Sequence, residues 1–141
     1  MPLAHRLSPA LLATLLLAAV SIPASARDVF ECRFPTIGNN MGYLPDTVVM
    51  ARNEGSETVT VADAYIQSVK GGPIDVKIAE ENDAKLSVSW PLMLQSRTNT
   101  YIKMHYRISI QKRSLSASLS GRPQGFSNNF SAQGKCKRLE G

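Results

Sequence analysis

The feature that most constrains this chain is a twelve-residue run at 101–112, YIKMHYRISIQK. Ile102, Met104, Tyr106, Ile108 and Ile110 fall on one parity, and Tyr101, Lys103, His105, Arg107, Ser109 and Gln111 on the other. Period two over that length is a long strand with one buried and one wet face. The buried parity is large and β-branched, as a half-buried pleated surface requires. The wet parity is basic. A strand this long needs a sheet around it, so the rest of the chain is read for partners.

Residues 1–26 read as a leader rather than part of the fold. Met1 to Arg6 is short and basic, Leu11 to Val20 is apolar apart from Thr14, and Ala24-Ser25-Ala26 is a small-x-small cleavage signal. That order of zones predicts a secretory signal peptide cut after Ala26. The apolar run is about half of the roughly 20 residues a spanning helix needs. The processed chain, 27–141, is then 115 residues and one domain with a modest core. Its two cysteines, Cys32 and Cys136, lie near its ends, and in an exported chain an even count predicts a disulfide.

Strand signals recur along 27–141, separated by turn chemistry. They cover 29–34, 47–52, 57–62, 74–79, 86–94, 101–112, 115–119 and 126–132. A Gly/Asn-rich loop occupies 36–45, and a helical turn is expected around 63–69, before Gly71-Gly72-Pro73. Pro91 deletes a ladder donor from its strand, so a bulge or an edge is expected there. Eight strands joined by mostly short turns predict an all-β fold. An antiparallel up-and-down barrel (calycin-like) hides its edges by pairing the first strand with the last. Cys32 shares parity with Phe30 and Phe34, and Cys136, given no bulge at Gly134, with Phe126 and Phe130, so both thiols face one side, as a closing bridge requires. The alternative is a two-sheet β-sandwich, in which Trp90 would cover a bridge between internal strands.

Charge divides the chain. Residues 27–96 hold six basic and ten acidic side chains; 97–141 hold nine basic and one acidic, Glu140. A basic half of this kind either favours anionic surfaces, lipid headgroups or glycans, or is a solubilising face. The basic candidates are Lys103, Arg107, Lys112, Arg113, Lys135 and Lys137. Nucleic acid is not expected, because no helical or aromatic-stacking recognition motif accompanies the charge.

Inside a barrel, parity places polar groups among apolar ones. Asp63 follows Val59 and Val61, Asn128 sits between Phe126 and Phe130, and Tyr106 lies on the inward side of the long strand. With Tyr65 and Trp90 they form a candidate interior cluster lining a polar mouth for a small amphiphile. The competing arrangement has a bulge near Ala62 turning Asp63 to solvent. His105 lies on the outward parity, between Lys103 and Arg107, and reads as a surface residue rather than a general base. With no free cysteine beside it, a lone histidine predicts no zinc site. No phosphate loop or calcium loop is present, and no cofactor is expected.

Phe30-Glu31-Cys32-Arg33-Phe34-Pro35, Val61-Ala62-Asp63-Ala64, Gly72-Pro73-Ile74, Ser89-Trp90, Gly125-Phe126-Ser127-Asn128 and Gly134-Lys135-Cys136 resemble motifs of a group of short exported proteobacterial proteins without an assigned activity. The resemblance implies a periplasmic or secreted site. Periplasmic lysozyme-inhibitor barrels are similar in size, leader and disulfide, but of their Ser-Gly loop only the bare pair Ser120-Gly121 is present. The expected function is therefore a non-enzymatic envelope protein that binds a small amphiphile or an anionic envelope surface. The alternative is a protein–protein module, such as an enzyme inhibitor acting through loop 36–45.

Overall fold

The computed structural model describes residues 27–35 and 42–139. The expected leader, the 36–41 part of the Gly/Asn-rich loop and Glu140 lie outside them. Eight strands follow: β1 (Arg27–Arg33), β2 (Thr47–Asn53), β3 (Thr58–Asp63), β4 (Ile74–Glu81), β5 (Lys85–Gln95), β6 (Tyr101–Gln111), β7 (Ser116–Pro123) and β8 (Phe130–Leu139). One helix, α1 (Ala64–Lys70), lies between β3 and β4. Each strand pairs antiparallel with the next, and β8 returns to β1 from Val29↔Leu139 to Arg33↔Lys135, closing the barrel. Closure gives the first and last strands partners and sets the sandwich aside. Cys32 stands opposite Cys136 in that ladder, and the two are joined by a disulfide across 104 positions. In the chain-entropy account a loop of this length is worth about 4–5 kcal/mol.

The two ends of the cylinder differ. At one end β2–β3, β4–β5 and β6–β7 are joined by tight turns, and both terminal strands have their outer ends there. The Asn82 side chain accepts from the backbone N–H groups of Ala84 and Lys85, each at 2.8 Å, which fixes the β4–β5 turn. The β6–β7 turn closes on Leu115 at φ 59°, so the strand begins one residue later than its Leu/Ser alternation predicts. The other end carries the four long connections, including 34–46, α1 and 124–129.

Inward parity fills the cylinder. Trp90, Tyr106, Phe34, Met50, Leu92 and Met104 are all buried, alongside the aliphatic residues of β5 and β6. Leu44, 2 % exposed, folds over the long-connection end and joins the same core. α1 covers a second opening. β5 pairs with β6 along its whole length, but its ladder with β4 runs only from Ile78↔Val88 to Glu81↔Leu86, with a register shift between Ile78 and Glu80. Pro91 falls beyond that ladder, so its missing N–H meets the expected edge. The adjacent helix, too short to be stable alone, docks through Ile66, which is fully buried. Asp63 is its N-cap, accepting from the N–H groups of Tyr65 and Ile66 at 2.8 Å, and Gly71 at φ 78° is its left-handed C-cap.

Candidate functional site

The structure brings together four of the five residues expected inside, and gives them a structural task. Asp63 neither lines a mouth nor faces open solvent; its carboxylate is spent on the start of α1. Tyr106 stacks on Trp90 with ring centroids 5.8 Å apart, and its hydroxyl donates to the Tyr43 carbonyl at 2.7 Å. The Tyr65 hydroxyl donates to the carbonyls of Gly42 and Leu44. Tyr43 in turn stacks on Phe130 at 5.1 Å. Residues 42–45 are thus a strap tied down by two tyrosines, with Leu44 and Pro45 as its buried part. Within it Gly42 stays exposed.

Electrostatics match this packing. Burial raises the Asp63 carboxyl, against the opposing pull of the Ile66 and Tyr65 N–H groups. Burial pushes the Tyr106 phenol far above its ordinary range, reinforced by Tyr65, Asp63 and Tyr43. It raises Tyr65 as well, helped by Asp46 and Asp63. Trp90 Nε1 is buried with no hydrogen-bond partner among the described residues.

Asn128 corrects the expectation. It is exposed, in the connection between β7 and β8, and β8 starts only at Phe130. Gly125 adopts φ 84°, and Gln124 N–H donates to the Lys103 carbonyl at 2.8 Å. These fix 124–129 as a turn, so the period-two spacing of Phe126, Asn128 and Phe130 does not continue a strand. Phe126, also expected inside, is 63 % exposed.

The basic candidates are spread over the wall, and several already hold carboxylates of the acidic half. Arg107 lies 3.3 Å from Glu80, Lys112 3.1 Å from Glu81, and Lys137 3.8 Å from Glu31. Glu81 also pairs with Arg52, and Glu80 with Lys85 at 3.1 Å. Lys135 donates to Ser116 Oγ at 3.0 Å, and Arg113 stands in the β6–β7 turn. Three of the six, Arg107, Lys112 and Lys137, are therefore already paired with carboxylates.

A compact basic surface does exist nearby. Lys103, His105 and Arg107 follow one another on the outer face of β6. Register places Arg122 of β7 opposite His105, and Ser120 opposite Arg107. On the other flank Pro91 and Ser89 of β5 pair with His105 and Arg107. Together Ser89, Pro91, His105, Arg107, Ser120 and Arg122 line a hollow of about 430 Å³. His105 and Arg122 also border a second hollow of about 520 Å³, which runs onto Gln124, Phe126, Asn128 and Asn129. The two hollows adjoin at His105 and Arg122 on the outside of the barrel. Arg122 was not singled out in the sequence because it lies inside a turn-like string, Gly121-Arg122-Pro123-Gln124-Gly125; only the β6–β7 register joins it to His105.

A separate groove of about 1150 Å³ lies at the long-connection end, between α1 and the β5–β6 turn. Val69, Met93 and Tyr101, 41 %, 45 % and 64 % exposed, line it beside Arg97. Among the described residues no group of three or more His, Cys, Asp or Glu is placed to hold a metal ion, and no helix is long and apolar enough to cross a membrane. No family model, curated protein or solved structure matches the chain.

Proposed function

We propose that this is an exported, non-enzymatic envelope protein, released by cleavage near Ala26, that binds anionic surfaces through the outer wall of β5–β7. One observation carries the reading: His105, Arg107 and Arg122 line one shallow hollow, with Lys103 further along the same outer face of β6, and among the described residues the carboxylate that reaches them is Glu80, on Arg107. Like charges set side by side on one face repel one another, and an anion laid across the two guanidinium groups relieves that repulsion. Arginine in particular presents a planar fork that suits carboxylate and phosphate oxygens.

The test is retention of the folded, oxidised protein on an immobilised anionic polymer over a salt gradient. Elution is expected to advance steeply with ionic strength, since exposed charges are screened within about 10 Å at 0.1 M salt. Arg107→Gln with Arg122→Gln should shift elution to much lower salt, while Arg113→Gln on the opposite end should not. Retention indifferent to salt, or equal loss from all these variants, contradicts the reading.

A second reading, a small amphiphile, has its own supporting observation. The barrel interior is filled by its own side chains, but Val69, Met93 and Tyr101 expose apolar surface next to the guanidinium of Arg97 at the rim. An apolar tail with an anionic head suits that pairing. Mass spectrometry of denatured, freshly isolated protein should then find a bound lipid-like molecule; its absence removes this reading and leaves the first intact.

A further inference from the structure

The geometry points to an acidic polysaccharide, rather than a membrane surface, as the anion that this wall takes. The inference rests on the anion-binding reading above and specifies its ligand.

Three observations select a glycan. First, the cations lie in a groove and not on a protruding tip. The two hollows that share His105 and Arg122 have volumes of about 430 and 520 Å³, within the range of clefts that hold organic ligands. The hollows are shallow and open, and a polymer of sugar rings can lie along them from one to the next. Second, the groove changes chemistry along its length. Its strand-borne part carries Arg107, Arg122 and His105; its loop-borne part carries the amides of Gln124, Asn128 and Asn129. Amides both donate and accept, which suits sugar hydroxyls, and guanidinium groups suit sugar carboxylates. Third, Phe126 is 63 % exposed at the amide end, on a segment whose backbone is held. Gln124 N–H bonds the Lys103 carbonyl at 2.8 Å, and Phe126 N–H bonds the Pro123 carbonyl at 3.3 Å. A large aromatic ring kept in water on a fixed turn is a ready platform for the apolar face of a pyranose, at little ordering cost on binding.

The assignment is tested with polygalacturonate, neutral dextran and phosphatidylglycerol vesicles as probes of the full oxidised chain. Salt-sensitive binding to polygalacturonate, none to dextran, and a loss of at least fivefold on Phe126→Ala that Phe126→Trp restores would support it. Asn128→Ala should weaken binding in the same direction. Because these side chains are exposed, an unchanged thermal midpoint confirms that each variant is folded. Binding to vesicles but not to polygalacturonate overturns the glycan assignment and leaves the anion reading standing. So does polygalacturonate binding that ignores Phe126 and Asn128. Binding to none of the three overturns both.

Discussion

The Tyr106 hydroxyl, on the longest run of alternating residues in the chain, donates to the backbone carbonyl of Tyr43 at 2.7 Å. The inward face of β6 thereby holds the strap that closes one end of the barrel. Tyr106→Phe keeps the ring and its stack on Trp90 but leaves that carbonyl without its donor. A loss of about 1–2 kcal/mol is expected, read as a lower urea midpoint by the fluorescence of the single tryptophan. Salt-dependent binding on the outer wall should be unchanged; a loss there as well would mean that the strap and the groove are coupled.

Asp63 is the second restraint at this end. Asp63→Ala removes both capping bonds to α1 and should cost about 1 kcal/mol. Asp63→Asn keeps an acceptor and sheds a half-buried charge, so it should match or exceed the parent at neutral pH. The sign of the pH effect follows from burial. With the folded carboxyl raised, the native state keeps its proton to a higher pH than the unfolded chain does. Stability contributed by this group therefore falls as pH rises through the folded value. Denaturation midpoints measured from the ordinary carboxylate range up to neutral pH should show the parent losing ground to Asp63→Asn as pH rises. Parallel curves would contradict it.

Glu81 has the opposite sign. Burial works to raise its carboxyl, but the hydrogen bonds and charges of Arg52 and Lys112 outweigh it and hold it below the ordinary value. Stability is thus present above the ordinary carboxylate range and lost as pH falls through the lowered folded value. Glu81→Gln should cost about 0.5–1 kcal/mol at neutral pH, and the difference should shrink in acid and in high salt. A gap that persists in acid would place the effect in packing instead.

Gly134 and Gly121 separate two kinds of close approach. A Cβ on Gly134 would sit 2.2 Å from the Arg33 carbonyl oxygen and 2.7 Å from Phe34 Cδ1. Backbone on the facing closure strand does not yield, so Gly134→Ala should cost about 3 kcal/mol or more. At Gly121 the neighbours are side-chain atoms of Leu44, Tyr106 and Met104 at 3.1 to 3.2 Å. Gly121→Ala should cost about 1 kcal/mol. Comparable unfolding midpoints for the two variants would refute the distinction.

Much of the fold was legible because period two is a local signal. The parity of Ile102 to Ile110 placed the core side of β6 without any partner strand, and the shared parity of Cys32 and Cys136 made closure the economical solution. Asp63 to Val69 was legible as a turn of helix, though the chain's own alternation did not reveal that Asp63 would leave the sheet to cap it. The same local rule failed at Phe126-Ser127-Asn128-Asn129-Phe130. Alternating aromatic and polar residues there imitate a strand, while Gly125 and the bond from Gln124 to Lys103 hold a turn.

The site was less legible because it is made of relations between strands. The sequence marked a basic half, but it could not show that Glu80 and Glu81, from the acidic half, reach across to Arg107 and Lys112. Nor does spacing along one strand reveal that Arg122 lies beside His105. That depends on the offset between β6 and β7, which the intervening turn sets.

The bond between Cys32 and Cys136 makes everything between them a covalent ring. A protease that cuts 96–100 or 124–129 would open that ring at one point without releasing a fragment, since both pieces stay joined through sulfur and through their neighbouring strands. A nicked molecule would gain only the mass of one water and keep most of the wall that carries Arg107 and Arg122. For any chain that meets a protease, such tolerance of scission lengthens working life in a way that thermodynamic stability alone does not measure.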